Sequence, residues 1–316
     1  MALDEKYRLM LDRAQRALGH NSPVDAVKKV RAIIGPRNIP DTEAQAQRAL
    51  ESLRNGEIPT PGQLTALELV VRLMRPVVFS RNGELEDLPE TPNQDLRPHE
   101  LKDAWTAFKA LVRPYIGSIG RIEDSAGSPV GTGFVVGSNM IATNRHVLSV
   151  LTSGSEAFDP NSARIVFKQE IGQANREGDT VLIASVVKVH QTLDMVLLSA
   201  PIGARLPLLL SGVEPVPGER VATIGYPGKD EANNPLFLTS VFDGKFGVKR
   251  AAIGEVLDGT LNPSLIHDCS TTRGNSGSPV FLLSSGKVAG IHRSGYFMYR
   301  NDAVVASELD RFSRRG

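Results

Sequence analysis

From Tyr115 onward the chain is a succession of short β-rich runs (GTGFVVG, MIAT, ARIVFK, VLIASVVKV, MVLLSA, RVATIGYP, SPVFLL, KVAGIH) separated by Gly, Pro, Asn and Asp. Many short strands at such spacing predict an all-β barrel or sandwich. Residues 1–113 have the opposite texture. Leu3, Tyr7, Met10, Leu11, Ala14 and Leu18 recur at helical spacing up to Gly19. Ser22-Pro23 opens a second helix that Gly35 ends, Asp41 caps a third that runs to Asn55-Gly56, and Thr60-Pro61 opens a fourth that Pro76 closes. A fifth spans Pro98 to Val112, with Leu101, Trp105, Phe108 and Val112 on its apolar stripe. Residues 77–96, rich in Pro, Glu and Asn, read as a loop or linker. The fold class expected is α plus all-β, a helical domain over 1–113 and a β domain over 114–316.

Composition narrows the function classes. Lys+Arg is 36 and Asp+Glu 35, a net of +1, where a nucleic-acid partner calls for a basic excess and an anionic membrane for the same. The N-terminus carries Asp4, Glu5 and Asp12 where a signal peptide needs an apolar run, and the apolar stretch Met195–Ala204 is short for a membrane span. With Cys269 the single cysteine, no intrachain disulfide forms, which leans toward a reducing, cytoplasmic compartment. No His, Cys or acidic cluster has metal-ligand spacing, and GTGF lacks the Lys-Ser/Thr of a phosphate loop, so no cofactor is expected.

Three motifs in the β half supply, in order, a His, an Asp and a Ser. They are Thr143-Asn144-Arg145-His146-Val147, Leu193-Asp194-Met195-Val196, and Arg273-Gly274-Asn275-Ser276-Gly277-Ser278-Pro279, with 48 and then 82 residues between the three side chains. A serine hydroxyl is a weak nucleophile at neutral pH and needs a base within hydrogen-bond reach. Histidine titrates near neutrality and can take that proton and return it to a leaving amine. A carboxylate behind it fixes the tautomer and stabilises the imidazolium. Glycines around Ser276 let the backbone turn until the N–H groups of Gly274 and Ser276 converge on a developing oxyanion. Asp159 and Asp179 are rival carboxylates in loop-like surroundings, without the buried strand that follows Asp194.

GTGFVV…IATNRHVL, LDMVLL and GNSGSPVF, in that order, resemble the trypsin/chymotrypsin-fold serine peptidases, from about Ile116 to Leu309. Within that clan the run Cys269–Phe281 with the following Gly290-Ile291-His292 is most similar to the bacterial V8-like glutamyl endopeptidases. The resemblance implies a chymotrypsin-like double six-stranded β-barrel with His146, Asp194 and Ser276 as the triad. It further implies a primary pocket lined by Thr271 and His292 that prefers an acidic P1 side chain, and a strand edge Arg293–Gly295 that pairs with extended substrate. Arg273 departs from the small residue of that family and could either assist an acidic substrate or cover the pocket. Arg145 stands where alanine is commoner, and could lower the basicity of the histidine or point away. Asn275 cannot make the ion pair with a new N-terminal amine that an Asp makes in the chymotrypsin subgroup. The implied partners are a protein or peptide substrate and, through an adaptor-like 1–113 segment, a regulatory protein that recruits or gates the peptidase. Two rival readings are a catalytically latent binding module and an HtrA-like quality-control peptidase, the latter usually carrying a PDZ domain where only a few residues follow Glu308.

Overall fold

A computed structural model describes residues 4–18, 22–26, 28, 43–89, 99–155, 157–160, 162–173, 178–231, 235–259, 262–296 and 300–314. Three helices from the first part of the chain, α1 (Glu5–Leu18), α2 (Glu43–Arg54) and α3 (Pro61–Leu73), bury Ala14, Leu18, Ala46, Ala49, Leu50, Leu53, Leu67 and Val70 against one another. The alanines keep the helices close, because a small side chain lets neighbouring backbones approach. Thr60 closes a reciprocal capping box with Gln63 at the start of α3, and Pro61 occupies the first turn, where its missing N–H costs nothing. Ser22 accepts from the Asp25 amide at the second helix's start, while Gly35 and Asp41 lie outside the described residues, as does Pro98. The fifth helix, α4 (His99–Val112), ends where the sequence indicates.

Of the segment 77–96 expected as a loop or linker, residues 77–85 form paired strands, and residues 90–96 lie outside the described residues. Val77–Arg81 is a strand, β1, and Glu84–Leu85 its hairpin partner β2. Asn82 and Gly83 both adopt left-handed backbone (φ 55° and 77°), the two-residue turn whose twist matches paired strands. β1 then pairs antiparallel with the strand Arg250–Asp258, Val77 opposite Ala252 and Phe79 opposite Arg250. The expectation of a loop gave weight to Pro and Glu after Leu85 and overlooked the β-branched and aromatic run before it.

The β half contains two sheets. The first holds β3 (Ile119–Asp124), β4 (Pro129–Gly137), β5 (Met140–Thr143), β6 (Ala163–Val166), β7 (Thr180–Leu182), β8 (Ser185–Val189) and β9 (Val196–Ser199), in the order β7-β6-β3-β4-β5-β9-β8. Its outermost strands are separated in the chain only by Ile183 and Ala184, so the curled sheet's two ends meet at a bend. The second holds β10 (Arg220–Gly225), β11 (Arg250–Asp258), β12 (Ser264–His267), β13 (Pro279–Leu282), β14 (Val288–Tyr296) and β15 (Arg300–Val305), closed into a six-stranded barrel by the β10–β11 pairing. A chymotrypsin-like double barrel accounts for both.

Helix α4 shares its core with the barrels. Trp105, Phe108 and Val112 are buried in one cluster with Ile224, Tyr226, Phe281 and Leu283, and the Phe108 ring meets Phe281 edge-on at 6.0 Å. Helix α6 (Pro235–Phe242) buries Phe237, Leu238 and Phe242 against Leu69 of α3, with α5 (Arg145–Leu151) and the terminal α7 (Ala306–Arg314) completing the helices named here.

Candidate active site

β5 and β9 pair antiparallel with Thr143 opposite Val196, so the residues just after one strand and just before the other lie side by side. Asp194 is thereby set against the first turn of α5. Its Oδ1 accepts the His146 amide at 3.0 Å and its Oδ2 meets His146 Nδ1 at 2.7 Å. The Asp194 carbonyl accepts from Asn144 Nδ2 at 2.9 Å, which fixes the other side of the turn. Burial pushes the Asp194 carboxyl up, but the hydrogen bonds and charge of His146, with Arg145 adding to them, hold it below the ordinary aspartate value. It therefore stays ionised behind a histidine whose side chain is 45% exposed. Arg145 turns away: its Nη1 donates to the carbonyl of Gln191 at 2.8 Å. Of the rival carboxylates, Asp179 faces Lys168 at 3.7 Å.

Ser276 lies in the loop between β12 and β13, and β4 of the other barrel holds it. Thr132 donates its amide to the Ser276 carbonyl at 2.8 Å and its hydroxyl to the Gly274 carbonyl at 2.8 Å. The same hydroxyl accepts from the Tyr226 amide at 3.2 Å, and Thr143 Oγ1 donates to the Thr132 carbonyl. This gives the GTGF run a structural role beyond its place in a strand. A Cβ at Gly131 would sit 3.0 Å from the Ser276 carbonyl and 2.8 Å from Val147, the residue after His146. Ser276 and the histidine turn thus press on the same glycine from two sides. Gly277 (φ 85°) and Gly274 (φ 91°) adopt left-handed backbone, and a Cβ on either would collide with a carbonyl, of Thr132 at 2.1 Å and of Tyr226 at 2.5 Å.

The Arg273–Gly274 peptide has a defined direction. The Arg273 carbonyl accepts from the Gly228 amide at 2.5 Å and from Thr272 Oγ1 at 3.3 Å. In a trans peptide the N–H points opposite to the C=O, so this latch sends the Gly274 N–H away from Gly228. Among the described residues, neither the Gly274 nor the Ser276 amide donates a hydrogen bond. Two adjacent donors left unpaired at a partly buried turn are the arrangement that can receive a developing oxyanion. The Arg273 side chain is exposed.

Beyond the nucleophile loop, β14 runs alongside it. The Gly277 amide donates to the His292 carbonyl and the His292 amide to Ser278, both at 2.8 Å. β13 begins opposite Ile291; beyond it Ser294 and Gly295 pair with β15 alone among the described strands, with Arg293 at a register shift before them, which leaves one backbone edge open. Thr271 Oγ1 donates to Asn301 Oδ1 at 2.7 Å, and a Cβ at Gly295 would come within 2.5 Å of that same oxygen. Arg293 donates to Ser264 Oγ at 3.4 Å.

His292 is buried and its Nδ1 lies 3.2 Å from Nε2 of the buried His267. Desolvation drives both imidazoles to the neutral form, His267 down to about 3 and His292 well below the usual value, the charges of His267 and His146 adding to the latter. His267 and Asn301 had no assigned part in the sequence reading, and nothing in their spacing points to them. Cys269 is free and buried, its thiol pushed up to about 12 by desolvation, which makes it a poor nucleophile. Among the described residues no group of three His, Cys, Asp or Glu side chains is placed to hold a metal, and no helix is long and apolar enough to cross a membrane.

The chain is 27% identical over 226 residues to the glutamyl endopeptidase of Staphylococcus aureus strain MW2, a match covering 69% of this chain and 60% of that one, with the same identity to the protein of strain MSSA476. The chain thus spans about 60% of the length of those relatives. In fold it is similar to the inactive form of the Rv3671c protease of Mycobacterium tuberculosis (18% identity, TM-score 0.45, 64% of this chain and 90% of that one). A second likeness is to the serine endoprotease of Yersinia pestis (15% identity, TM-score 0.49, 66% and 65%). Residues 131–291, just over half of the chain, match the family model described as the trypsin-like peptidase domain. The chain belongs to that family.

Proposed function

We propose that the chain is a serine endopeptidase that cleaves protein substrates through an acyl-enzyme on Ser276. The observation that carries the reading is the pairing of His146 with an ionised Asp194 beside a nucleophile turn whose Gly274 and Ser276 amides are unpaired. Asp194 accepts the Nδ1 proton of His146, which leaves Nε2 as the base toward Ser276. Ser276 Oγ attacks the scissile carbonyl and His146 takes its proton. The tetrahedral oxyanion accepts from the Gly274 and Ser276 amides, each worth about 3–4 kcal/mol of barrier. His146 then returns the proton to the leaving amine, and water repeats the sequence on the ester. Arg293–Gly295 hold the substrate backbone by strand addition at the open edge of β14.

An acidic P1 side chain fits the same site. His267 Nδ1 accepts the Cys269 amide at 3.3 Å, so the proton of this neutral ring is on Nε2 and is donated to His292 Nδ1. The proton of neutral His292 is therefore on Nε2, an N–H donor for a carboxylate that involves no second buried charge. Thr271 stands at the same wall with its hydroxyl proton donated to Asn301. In this reading the protein works in the cytosol, and residues 1–113 meet a regulatory protein. The support for the latter is that α1 and α3 touch the segment preceding the nucleophile loop.

The test is hydrolysis of matched chromogenic peptides with Glu, Gln or Ala at P1. The reading predicts at least about tenfold preference for Glu over Gln and complete loss of turnover in Ser276→Ala. Turnover that survives in Ser276→Ala would overturn the mechanism, and equal rates for Glu and Gln would overturn the P1 assignment alone.

A further inference from the structure

Three arginines of α1, α3 and the turn after α3 converge on two consecutive residues of the barrel, Asp268 and Cys269. Arg13 binds Glu68 with both carboxylate oxygens at 2.6 Å and approaches Asp268 Oδ2 at 3.5 Å. Arg75 pairs with Asp268 Oδ1, which also accepts the Glu255 amide at 2.7 Å. Arg72 uses two different nitrogens: Nε donates to Glu68 at 2.6 Å and Nη1 donates to the Cys269 carbonyl at 2.8 Å. All of these side chains except Glu255 are at least nine-tenths buried.

The Cys269 carbonyl is gripped from the far side as well. Asn301 Nδ2 donates to it at 2.7 Å, while Asn301 Oδ1 accepts from Thr271 and lies where a side chain on Gly295 would be. An unbroken hydrogen-bonded path therefore runs from the carboxylate of Glu68, inside the helical layer, through Arg72, the Cys269 carbonyl and Asn301, to Thr271, with Asn301 Oδ1 lying against Gly295. Burial makes each link stronger than it would be in water and makes each unpaired group costly, so the path holds one geometry.

We propose that Arg72 is a positioning residue for the primary pocket, so that the N-terminal helices are part of the specificity apparatus of the peptidase. Arg72 touches neither substrate nor reacting atoms. It fixes one lone pair of the Cys269 carbonyl, which orients the Asn301 amide, and Asn301 in turn orients the Thr271 hydroxyl. This inference rests on the endopeptidase reading, and a change of the helical layer that moves Arg72 would alter substrate capture before it altered the triad.

Arg72→Lys separates this role from simple adhesion of helices to barrel. A lysine keeps the positive charge beside Glu68, but one ammonium cannot reproduce two divergent donors from a planar fork. The full-length variant is expected to raise KM for the P1-Glu peptide about tenfold, with kcat and the rate of labelling by a small fluorophosphonate changed less than about twofold. Asn301→Ala is expected to give the same KM-selective loss, and the double variant to be little worse than either single one. Arg16→Gln, which loosens the same seam at Glu255 (3.6 Å) without touching the path, is expected to leave KM unchanged. An unaltered KM in a folded Arg72→Lys protein, or strictly multiplicative effects in the double variant, would overturn the proposal. If Arg72→Lys does not fold, Asn301→Ala carries the test, and an unchanged KM there overturns it too. A wild-type protein that the fluorophosphonate never labels would remove the endopeptidase reading, a result distinct from normal labelling with KM unmoved.

Discussion

Two of the molecule's clusters of charge are built on opposite principles. At His146–Asp194 one carboxylate faces one imidazole at the mouth of the site, with the histidine nearly half exposed. At Arg13–Glu68–Arg72–Arg75–Asp268 five charged side chains are almost wholly buried and paired with one another, with Arg72 also bonded to backbone and Arg75 also facing Glu255. In the proposed mechanism the first cluster changes protonation in every turnover, so it is kept near water. The second must never change. Glu68 is lowered to about 2: burial alone would raise it, and Arg13 and Arg72 outweigh that. The difference separates a charge used in chemistry from charges used to hold a backbone carbonyl in place.

The largest effect expected is on the first cluster. Asp194→Asn keeps the shape and removes the charge that sets the His146 tautomer, so kcat should fall by about 10⁴ with the unfolding free energy little changed. In the second cluster the pattern inverts. Glu68→Gln leaves Arg72 buried without its paired carboxylate and Arg13 with Asp268 alone at 3.5 Å, and urea unfolding should register a loss of about 3–5 kcal/mol. Equal stability losses in both variants would erase the distinction between the clusters.

Thr132 joins the two barrels at the nucleophile loop. In Thr132→Val the Gly274 carbonyl and the Tyr226 amide each lose a partner in a fully buried place, at a cost of about 1–3 kcal/mol with a matching fall in labelling rate. A fall in stability with labelling untouched would mean that the hydroxyl does not steady the oxyanion turn.

The pH dependence sharpens the comparison further. His267 is held to about 3 against 6.5 in the unfolded chain, so its contribution to stability is complete above about pH 6.5 and is lost as pH falls toward 3. His292 acts in the same direction. Glu68, lowered from 4.5 to about 2, adds a loss that begins only below about pH 4.5. Stability should decline from pH 6.5 downward by about 1.4 kcal/mol per pH unit for each such proton, and more steeply once Glu68 begins to protonate. Urea midpoints measured from pH 8 to pH 4 check this, and a flat profile across pH 6.5–5 would contradict the neutral histidine pair.

The sequence made the barrel half and the candidates His146, Asp194 and Ser276 legible because both depend on local signals. Short β-branched runs mark strands, and a nucleophile turn needs glycines in a fixed pattern around the serine. The hairpin at Asn82-Gly83 was equally local, and its turn signal stood in plain view directly after the β-rich run Val77–Arg81. What stayed hidden depends on tertiary contact alone. Thr132 reaches the nucleophile loop across 142 residues, and Arg72 reaches Cys269 across 197. An arginine on an amphipathic helix reads as solvated until the fold brings a carbonyl to it. His267 and Asn301 were silent for the same reason, since neither sits in a motif and each acquires meaning only from the strand beside it.

The most direct test of the account is to treat the purified protein with a fluorophosphonate and map the adduct by peptide mass spectrometry. The account predicts a single covalent adduct on Ser276, lost in Ser276→Ala and slowed in Asp194→Asn. A folded wild-type protein that takes up no probe, or one labelled at another residue, would contradict the assigned active site.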